Sequence, residues 1–251
     1  RVKELYNGNN KKFNSKVQQL VMAEMGLGYG SEFQLLRFLG HHRDELNELI
    51  HESTGMSDAI YWKDFGYDDN RICGDRELKG IECFQTLEKD AQKQINTDWK
   101  EYWPQSGTSM NWDAIFTIGD TCFFVEAKAR IGEAFQKCTA TSPESRGTIV
   151  KAFNETKTWL GLPKNDIDWI QTDCYQLANR LAFICFCARH GIKAKLLYVS
   201  FINGFYRKSV TSREEWETKV WDKQYKTLGI TQDSVKDLIY HIYPDCEPGN
   251  K

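Results

Sequence analysis

The stretch from residue 112 to 129 constrains the fold more than any other part of the sequence. Two runs rich in β-branched and aromatic residues, 113–118 and 121–127, flank Gly119 and Asp120, a pair suited to the tight turn of a two-residue hairpin. Apolar side chains fall on both faces of both runs. A hairpin that is apolar on two faces belongs inside a sheet that helices cover on both sides. The sequence therefore predicts an α/β protein with a mixed central β-sheet flanked by helices.

The remaining segments predict the elements around this hairpin. Two short helical segments open the sequence, and the second starts at Ser31 as N-cap with Gln34 in the capping-box position. Glu32 falls in the first turn of this leading helix, where a carboxylate either interacts with the helix dipole or serves a function. One strand is expected at 59–62 or at 80–84, and periodicity does not decide between them. Further helices are predicted at 43–52, 87–101, 143–160 and 167–190, from Ser212 onward and at 234–243, with a strand at 194–202.

Length and composition fit one domain. The 251 residues are 41% hydrophobic and 27% charged, which is enough apolar content for a core and excludes collagen-like and disordered chains. We predict a single domain over 1–251, with 53–110 as an insertion or lid and 203–251 as a C-terminal helical extension. The formal net charge of -2 does not by itself indicate a polyanionic partner.

The apolar runs and the cysteines bear on the compartment. No apolar run approaches the roughly 20 residues of a membrane helix, and residues 1–14 are polar, so we expect a soluble, cytoplasmic protein without a membrane partner. Several of the 8 cysteines lie inside apolar runs such as 182–187, and the chain has no Cys-x-x-Cys pair. Buried thiols are therefore favoured over disulfides or a structural zinc site.

The predicted hairpin brings two carboxylates together. If Gly119 and Asp120 form the turn, Asp113 lies directly opposite Glu126. Opposed residues have Cβ atoms about 4.5–5.5 Å apart, where like charges destabilise a sheet. A divalent cation between the two carboxylates removes this repulsion.

A lysine and a backbone carbonyl complete the arrangement. Lys128 lies two residues beyond Glu126 and shares its face of the strand, while the Ala127 side chain points away and its carbonyl oxygen can still approach an ion. Hard oxygen ligands of this kind suit Mg²⁺ or Mn²⁺, which can share coordination with a phosphate. The pattern therefore indicates chemistry on phosphodiesters.

The tripeptide alone carries little information. An acid followed two residues later by lysine starts at Glu77, Asp98, Glu126, Glu155 and Glu217. The copy at Glu126 is distinguished by ending an apolar strand with an aspartate opposite it. The alternative interpretation of Asp113, Glu126 and Lys128 is a partly buried ion-pair network at the end of a sheet.

These residues resemble the PD-(D/E)XK nuclease superfamily, the restriction-endonuclease-like fold with an αβββαβ core. Asp113 corresponds to the aspartate of the motif, Glu126 and Lys128 to the (D/E)xK element, and Glu32 to the acid that many members carry on the leading helix. The helix segment 175–180 and the strand that follows it also resemble the elements that close this core. The proline that gives the motif its name is replaced by Trp112.

The resemblance implies metal-assisted hydrolysis of a phosphodiester. Asp113, Glu126 and the Ala127 carbonyl would bind Mg²⁺ or Mn²⁺, with Glu32 assisting, and Lys128 would orient the attacking water. Gln176 and Arg180, one turn apart on a helix, are placed to reach a phosphate or the Lys128 region, or else form the polar edge of a packed helix. The residues expected to act in catalysis are Asp113, Glu126, Lys128, Glu32 and Gln176, and those expected to contact nucleic acid are Arg130, Arg146 and Arg180.

We therefore expect a Mg²⁺-dependent nuclease, an endonuclease acting on DNA rather than RNA, the preference for DNA following from the resemblance. Two alternatives stay open. One is a nucleic-acid-binding module that keeps the fold without catalysis, and the other is a structural or interaction protein whose carboxylates only form salt bridges with Lys128. A homodimer is compatible with cutting both strands, but no residue argues for it.

Overall fold

A five-stranded mixed sheet forms the centre of the protein. The structure, a computed structural model, describes residues 30–63, 78–79, 81, 89–106, 110–162, 166–205 and 209–247. The sheet has the order β1-β4-β5-β6-β7, antiparallel from β1 to β5 and parallel from β5 to β7. Its strands are β1 (Ile60–Trp62), β4 (Ala114–Ile118), β5 (Thr121–Lys128), β6 (Ala194–Ser200) and β7 (Ile239–Ile242), and a separate pair is formed by β2 (Leu78–Lys79) and β3 (Asn111–Trp112).

The predicted hairpin is confirmed together with its register. Ile118 pairs with Thr121 and Ala114 with Val125, as a two-residue turn requires. Gly119 occupies the turn with φ 57°, a left-handed conformation that glycine adopts readily. The expected α/β class, a mixed sheet flanked by helices, is likewise present.

The helices lie on both faces of the sheet. On one face are α1 (Ser31–His41) and α2 (Arg43–Thr54), whose buried Leu35, Phe38, Leu46 and Ile50 pack on residues such as Phe123 and Val125. The other face carries α3 (Lys89–Tyr102), α4 (Pro143–Trp159) and α5 (Tyr175–Arg189). It also carries α6 (Arg213–Trp216), which continues through a π-helical turn (Glu217–Trp221) into α7 (Asp222–Leu228), and α8 (Gln232–Val235) follows.

Local sequence explains several helix boundaries. Ser142 caps α4 by accepting a hydrogen bond from the Ser145 N–H, and Pro143 occupies the first helical position, as predicted. Ser31 is not the N-cap of α1, because the helix begins one residue earlier than predicted. Gly30 takes that place with φ 103°, and its N–H donates to the carbonyl oxygen of Gly204.

Two helix predictions are wrong. The helix predicted over 167–190 begins only at Tyr175, because the preceding segment forms a short 3₁₀ turn (Trp169–Gln171) and the Tyr175 N–H donates to the Gln136 carbonyl. The helix predicted over 234–243 ends at Val235, and Ile239–Ile242 form β7 instead. Pairing with β6 overrides the helical spacing of these apolar residues. The region 203–251, expected to be helical, thus contributes a strand to the central sheet.

The strand expected at 59–62 is present as Ile60–Trp62, which pairs with β4. The option at 80–84, apart from Ile81, and the helical segment expected before Ser31 lie outside the described residues. The six cysteines that the structure describes are free thiols, four of them buried. Over the described residues, we find no helix with the length and apolar character needed to cross a bilayer.

Candidate functional site

The candidate site lies where β5 and β6 end, on the face of the sheet that α5 covers. Asp113 connects β3 to β4 and is not paired with Glu126 as predicted, because the ladder ends at Ala114 opposite Val125 and the Asp113 N–H donates to the Val125 carbonyl. Glu126 and Lys128 are on the same face of β5, and Gln176 and Arg180 come from the first turns of α5. The folded chain therefore brings together five of the residues predicted from sequence.

The Asp113 carboxylate is anchored to the backbone of β5. Its Oδ2 accepts a hydrogen bond from the Ala127 N–H at 2.7 Å, and the Asp113 N–H donates to the Val125 carbonyl at 3.2 Å. In an extended strand the N–H and C=O of one residue point to the same side. The Ala127 carbonyl oxygen is therefore directed toward the side of the strand on which half-buried Asp113 lies.

The Glu126 carboxylate is surrounded by four donors. Its Oε1 accepts from Lys128 Nζ at 2.5 Å and from Gln176 Nε2 at 2.7 Å. Its Oε2 accepts from Arg180 Nε at 2.9 Å and Arg180 Nη2 at 2.7 Å. Glu126, Lys128 and Arg180 are each 4–5% exposed. The carboxylate charge is thus fully compensated by hydrogen bonds inside the protein.

The charges within this cluster determine its protonation. Burial alone would raise the pKa of Glu126, but the Arg180 guanidinium and the Lys128 ammonium outweigh burial and hold the pKa below its ordinary value. Burial and the nearby Glu126 charge raise the pKa of Tyr198, which lies beside Glu126 on β6, well above its usual range. Glu126 is therefore ionised and Tyr198 neutral at physiological pH.

Arg180 holds Glu126 rather than facing solvent. Its Nη2 also donates to the Asn111 carbonyl at 2.8 Å, and its guanidinium carbon lies 4.6 Å from the centre of the Trp112 ring. Trp112, the residue before Asp113, supplies this stacking surface. The Arg180 guanidinium, which was predicted to contact nucleic acid, is instead hydrogen-bonded to the Glu126 carboxylate.

The other predicted residues are spread around the same end of the sheet. Glu32 lies in the first turn of α1, whose N-cap contacts Gly204 just after β6, but α1 covers the opposite face from the Glu126 side chain. Arg130 is exposed, pairs with Glu133 at 3.1 Å and stacks on Phe205. Arg146 lies in the first turn of α4, and its Nη1 donates to the Ala140 carbonyl.

A polar groove adjoins the cluster. It has a volume of about 670 Å³, and Gln176 and Arg180 form part of its wall, so that Gln176 contacts both Glu126 and the groove. The described residues that line it include no aspartate or glutamate, and Lys137 adds an exposed positive charge. The remaining wall is mostly hydroxyl and amide side chains, including those of Ser106, Asn111, Gln136, Thr139, Thr141, Ser142, Ser145 and Asn179.

Among the described residues, the oxygen donors of the cluster include the carboxylates of Asp113 and Glu126 and the Ala127 carbonyl. Among the residues that the structure describes, no group of three or more His, Cys, Asp or Glu side chains is arranged to hold a metal ion. Asp113, Glu126 and the Ala127 carbonyl are hard donors that suit Mg²⁺ or Mn²⁺, which complete their coordination with water. Glu126 Oε1 becomes available to such an ion only when the Lys128 ammonium leaves it.

Sequence reasoning missed the neighbours that β6 supplies. Tyr198 lies beside Glu126 and Ser200 beside Lys128 in the parallel ladder. Parallel register depends on how the crossover through α4 and α5 packs, and no turn residue encodes it.

Comparison of the chain with models of protein families, with curated proteins and with solved structures finds no match.

Proposed function

We propose that this protein is a nuclease of the PD-(D/E)XK kind that hydrolyses phosphodiester bonds with Mg²⁺ or Mn²⁺, and that DNA is its substrate. The observation that carries the proposal is the hydrogen bond from the Ala127 N–H to Asp113 Oδ2, which joins Asp113 to the strand segment that carries Glu126 and Lys128. Lys128 lies on the same strand face, where the two acids and an amine suit cation-assisted hydrolysis.

Each residue has a distinct task in this proposal. Asp113, Glu126 and the Ala127 carbonyl would hold the ion, which supplies a water of lowered pKa and neutralises charge on the phosphate. Lys128 would hold the attacking water and donate a hydrogen bond to the developing negative charge. Arg180 orients Glu126 through two hydrogen bonds, and Gln176 connects Glu126 to the groove.

The adjoining groove supports an anionic substrate. Its described lining carries no carboxylate, and Lys137 and many neutral donors face it, which suits phosphate and sugar oxygens. We also propose a cytoplasmic location, because the six cysteines described are free, as in a reducing compartment.

A second candidate is a nucleic-acid-binding module without catalysis. The saturation of Glu126 by four donors, together with the burial of Glu126 and Lys128, favours this alternative. In that case the cluster is an internal ion-pair network, and the groove alone contacts the nucleic acid.

The test is a cleavage assay with defined substrates. Plasmid, linear duplex, single-stranded DNA and RNA are incubated with Mg²⁺ or Mn²⁺, and wild type is compared with Asp113→Asn and Lys128→Met. Both variants should lose at least about 100-fold in kcat, since each removes a group that acts on the reacting phosphate or water. The matched control is Lys193→Met, which removes the exposed lysine paired with Asp120 at the opposite end of the hairpin and should cleave like wild type.

The outcomes separate the two candidates. Cleavage that persists in Asp113→Asn and Lys128→Met would contradict catalysis by this cluster. Binding of nucleic acid in EDTA without cleavage under either metal would support the non-catalytic module instead.

A further inference from the structure

A buried hydroxyl lies beside the candidate site. Ser200 is 0% exposed, and its Oγ has no hydrogen-bond partner among the residues that the structure describes. Burying a hydroxyl without a partner destabilises a protein, and replacing it with a methyl group would relieve that penalty. A serine at this position therefore calls for an explanation other than stability.

The position of Ser200 points to Lys128. The two residues pair directly in the parallel ladder of β5 and β6, and the Phe201 N–H donates to the Lys128 carbonyl at 2.8 Å. Paired residues of adjacent strands project to the same face, and neighbouring strands are only about 4.8 Å apart. The Ser200 side chain therefore projects beside the stem of the Lys128 side chain, on the same face of the sheet.

A cation at Glu126 would displace the Lys128 ammonium from its present acceptor. Its ammonium donates to Glu126 Oε1, the atom that also accepts from Gln176, while Arg180 occupies Oε2. A divalent cation bound to Glu126 would repel the ammonium at this distance. Lys128 is 4% exposed, so its ammonium needs another acceptor inside the protein.

We propose that Ser200 Oγ is the second acceptor of the Lys128 ammonium, used when a divalent cation takes the place of Lys128 on Glu126. This inference rests on the proposed function. Ser200 is then a positioning residue: it stabilises the cation-bound arrangement and holds Lys128 where it can act on the attacking water. Because Ser200 is fully buried, it does not contact the substrate.

The test measures cation binding without any substrate. Mn²⁺ is titrated into wild type, Ser200→Ala and Ser200→Cys in a calorimeter, where the cysteine keeps the size but accepts hydrogen bonds poorly. Both variants should bind Mn²⁺ about tenfold more weakly, the effect of losing one hydrogen bond to a charged group. Thermal melting without metal should show no loss of stability in Ser200→Ala.

The matched control is Thr156→Val. Thr156 is also 0% exposed, but its hydroxyl donates to the Ala152 carbonyl and lies near Tyr102, within the α4 side of the core. This variant should melt at a lower temperature and bind Mn²⁺ like wild type, the opposite of the result for Ser200→Ala.

Cleavage kinetics give a second readout. Ser200→Ala should lower kcat about tenfold and leave KM unchanged. Equal Mn²⁺ affinity in wild type and Ser200→Ala would overturn the role of Ser200 even if the wild type cleaves DNA, and absence of Mn²⁺ binding by wild type would overturn it as well. If the wild type cleaves no substrate but both Ser200 variants still bind Mn²⁺ more weakly than the wild type, the role of Ser200 is supported. That result would contradict only the proposed nuclease activity.

Discussion

The substitution Glu126→Gln probes how much the buried cluster depends on one negative charge. The amide keeps the size of the side chain but removes the charge that compensates Lys128 and Arg180, each of which is 4–5% exposed. Breaking a buried ion pair by neutralising one partner destabilises a protein by about 3–5 kcal/mol. We expect a loss of that size, since two cations lose their counter-charge and the amide N–H₂ group meets donors in place of acceptors.

Lys128→Met should behave differently because the cluster is asymmetric. Glu126 keeps both Arg180 hydrogen bonds and the Gln176 contact, and methionine replaces the buried stem of the lysine. The expected loss is below about 1 kcal/mol, since Arg180 still compensates the Glu126 charge and no buried charge is left unpaired. The double variant should lose less than the sum of the two single variants, because Lys128→Met removes one of the two unpaired cations.

Urea unfolding followed by tryptophan fluorescence measures these free energies, with the m-value checked for constancy. Suppose that Glu126→Gln lowers the free energy of unfolding by less than about 1 kcal/mol, and by no more than Lys128→Met does. That result would refute the idea that the Glu126 charge compensates both buried cations.

Two further predictions concern residues that do not belong to the Glu126 ion-pair cluster. Burial, together with the Arg213 charge, lowers the pKa of His241 from 6.5 to about 3. Because the folded pKa is depressed, the stability due to neutral His241 is present above pH 6.5 and is lost as pH falls toward 3, at about 1.4 kcal/mol per pH unit. His241→Phe should therefore reduce the difference in unfolding free energy between pH 7 and pH 5 by about 2 kcal/mol, and an unchanged difference in urea titrations would contradict this assignment. At Gly204 a Cβ would lie 2.6 Å from the Phe201 Cβ and 3.3 Å from the Ala129 Cβ, so Gly204→Ala should destabilise the protein by about 1–3 kcal/mol. The control Gly147→Ala, within α4 and with open space around its Cβ, should stabilise it by about 0.5–1 kcal/mol, and equal melting temperatures of the two variants would be inconsistent with this packing.

Features set by local chemistry could be predicted from the sequence. The Gly119-Asp120 turn fixed the register of β4 and β5 from Ile118 opposite Thr121 to Ala114 opposite Val125. Ser142 and Pro143 likewise specified the start of α4. In each case the deciding interaction lies within a few residues of the chain.

Features that depend on tertiary packing were not predictable in the same way. β7 has apolar spacing compatible with a helix and becomes a strand only by pairing with β6. The role of Arg180 depends on how α5 packs over β5, which turns an arginine expected to contact nucleic acid into a buried partner of Glu126. The proximity of Ser200 to Lys128 arises in the same way from parallel pairing across a long crossover.

Anomalous scattering from a crystal soaked in Mn²⁺ shows directly whether a cation binds at this cluster. We expect one strong peak within coordination distance of Asp113, Glu126 and the Ala127 carbonyl oxygen, with Lys128 Nζ displaced from Glu126 Oε1. A crystal that shows no peak there at millimolar Mn²⁺, with Lys128 still bonded to Glu126, would contradict a cation-dependent site and leave an internal ion-pair network.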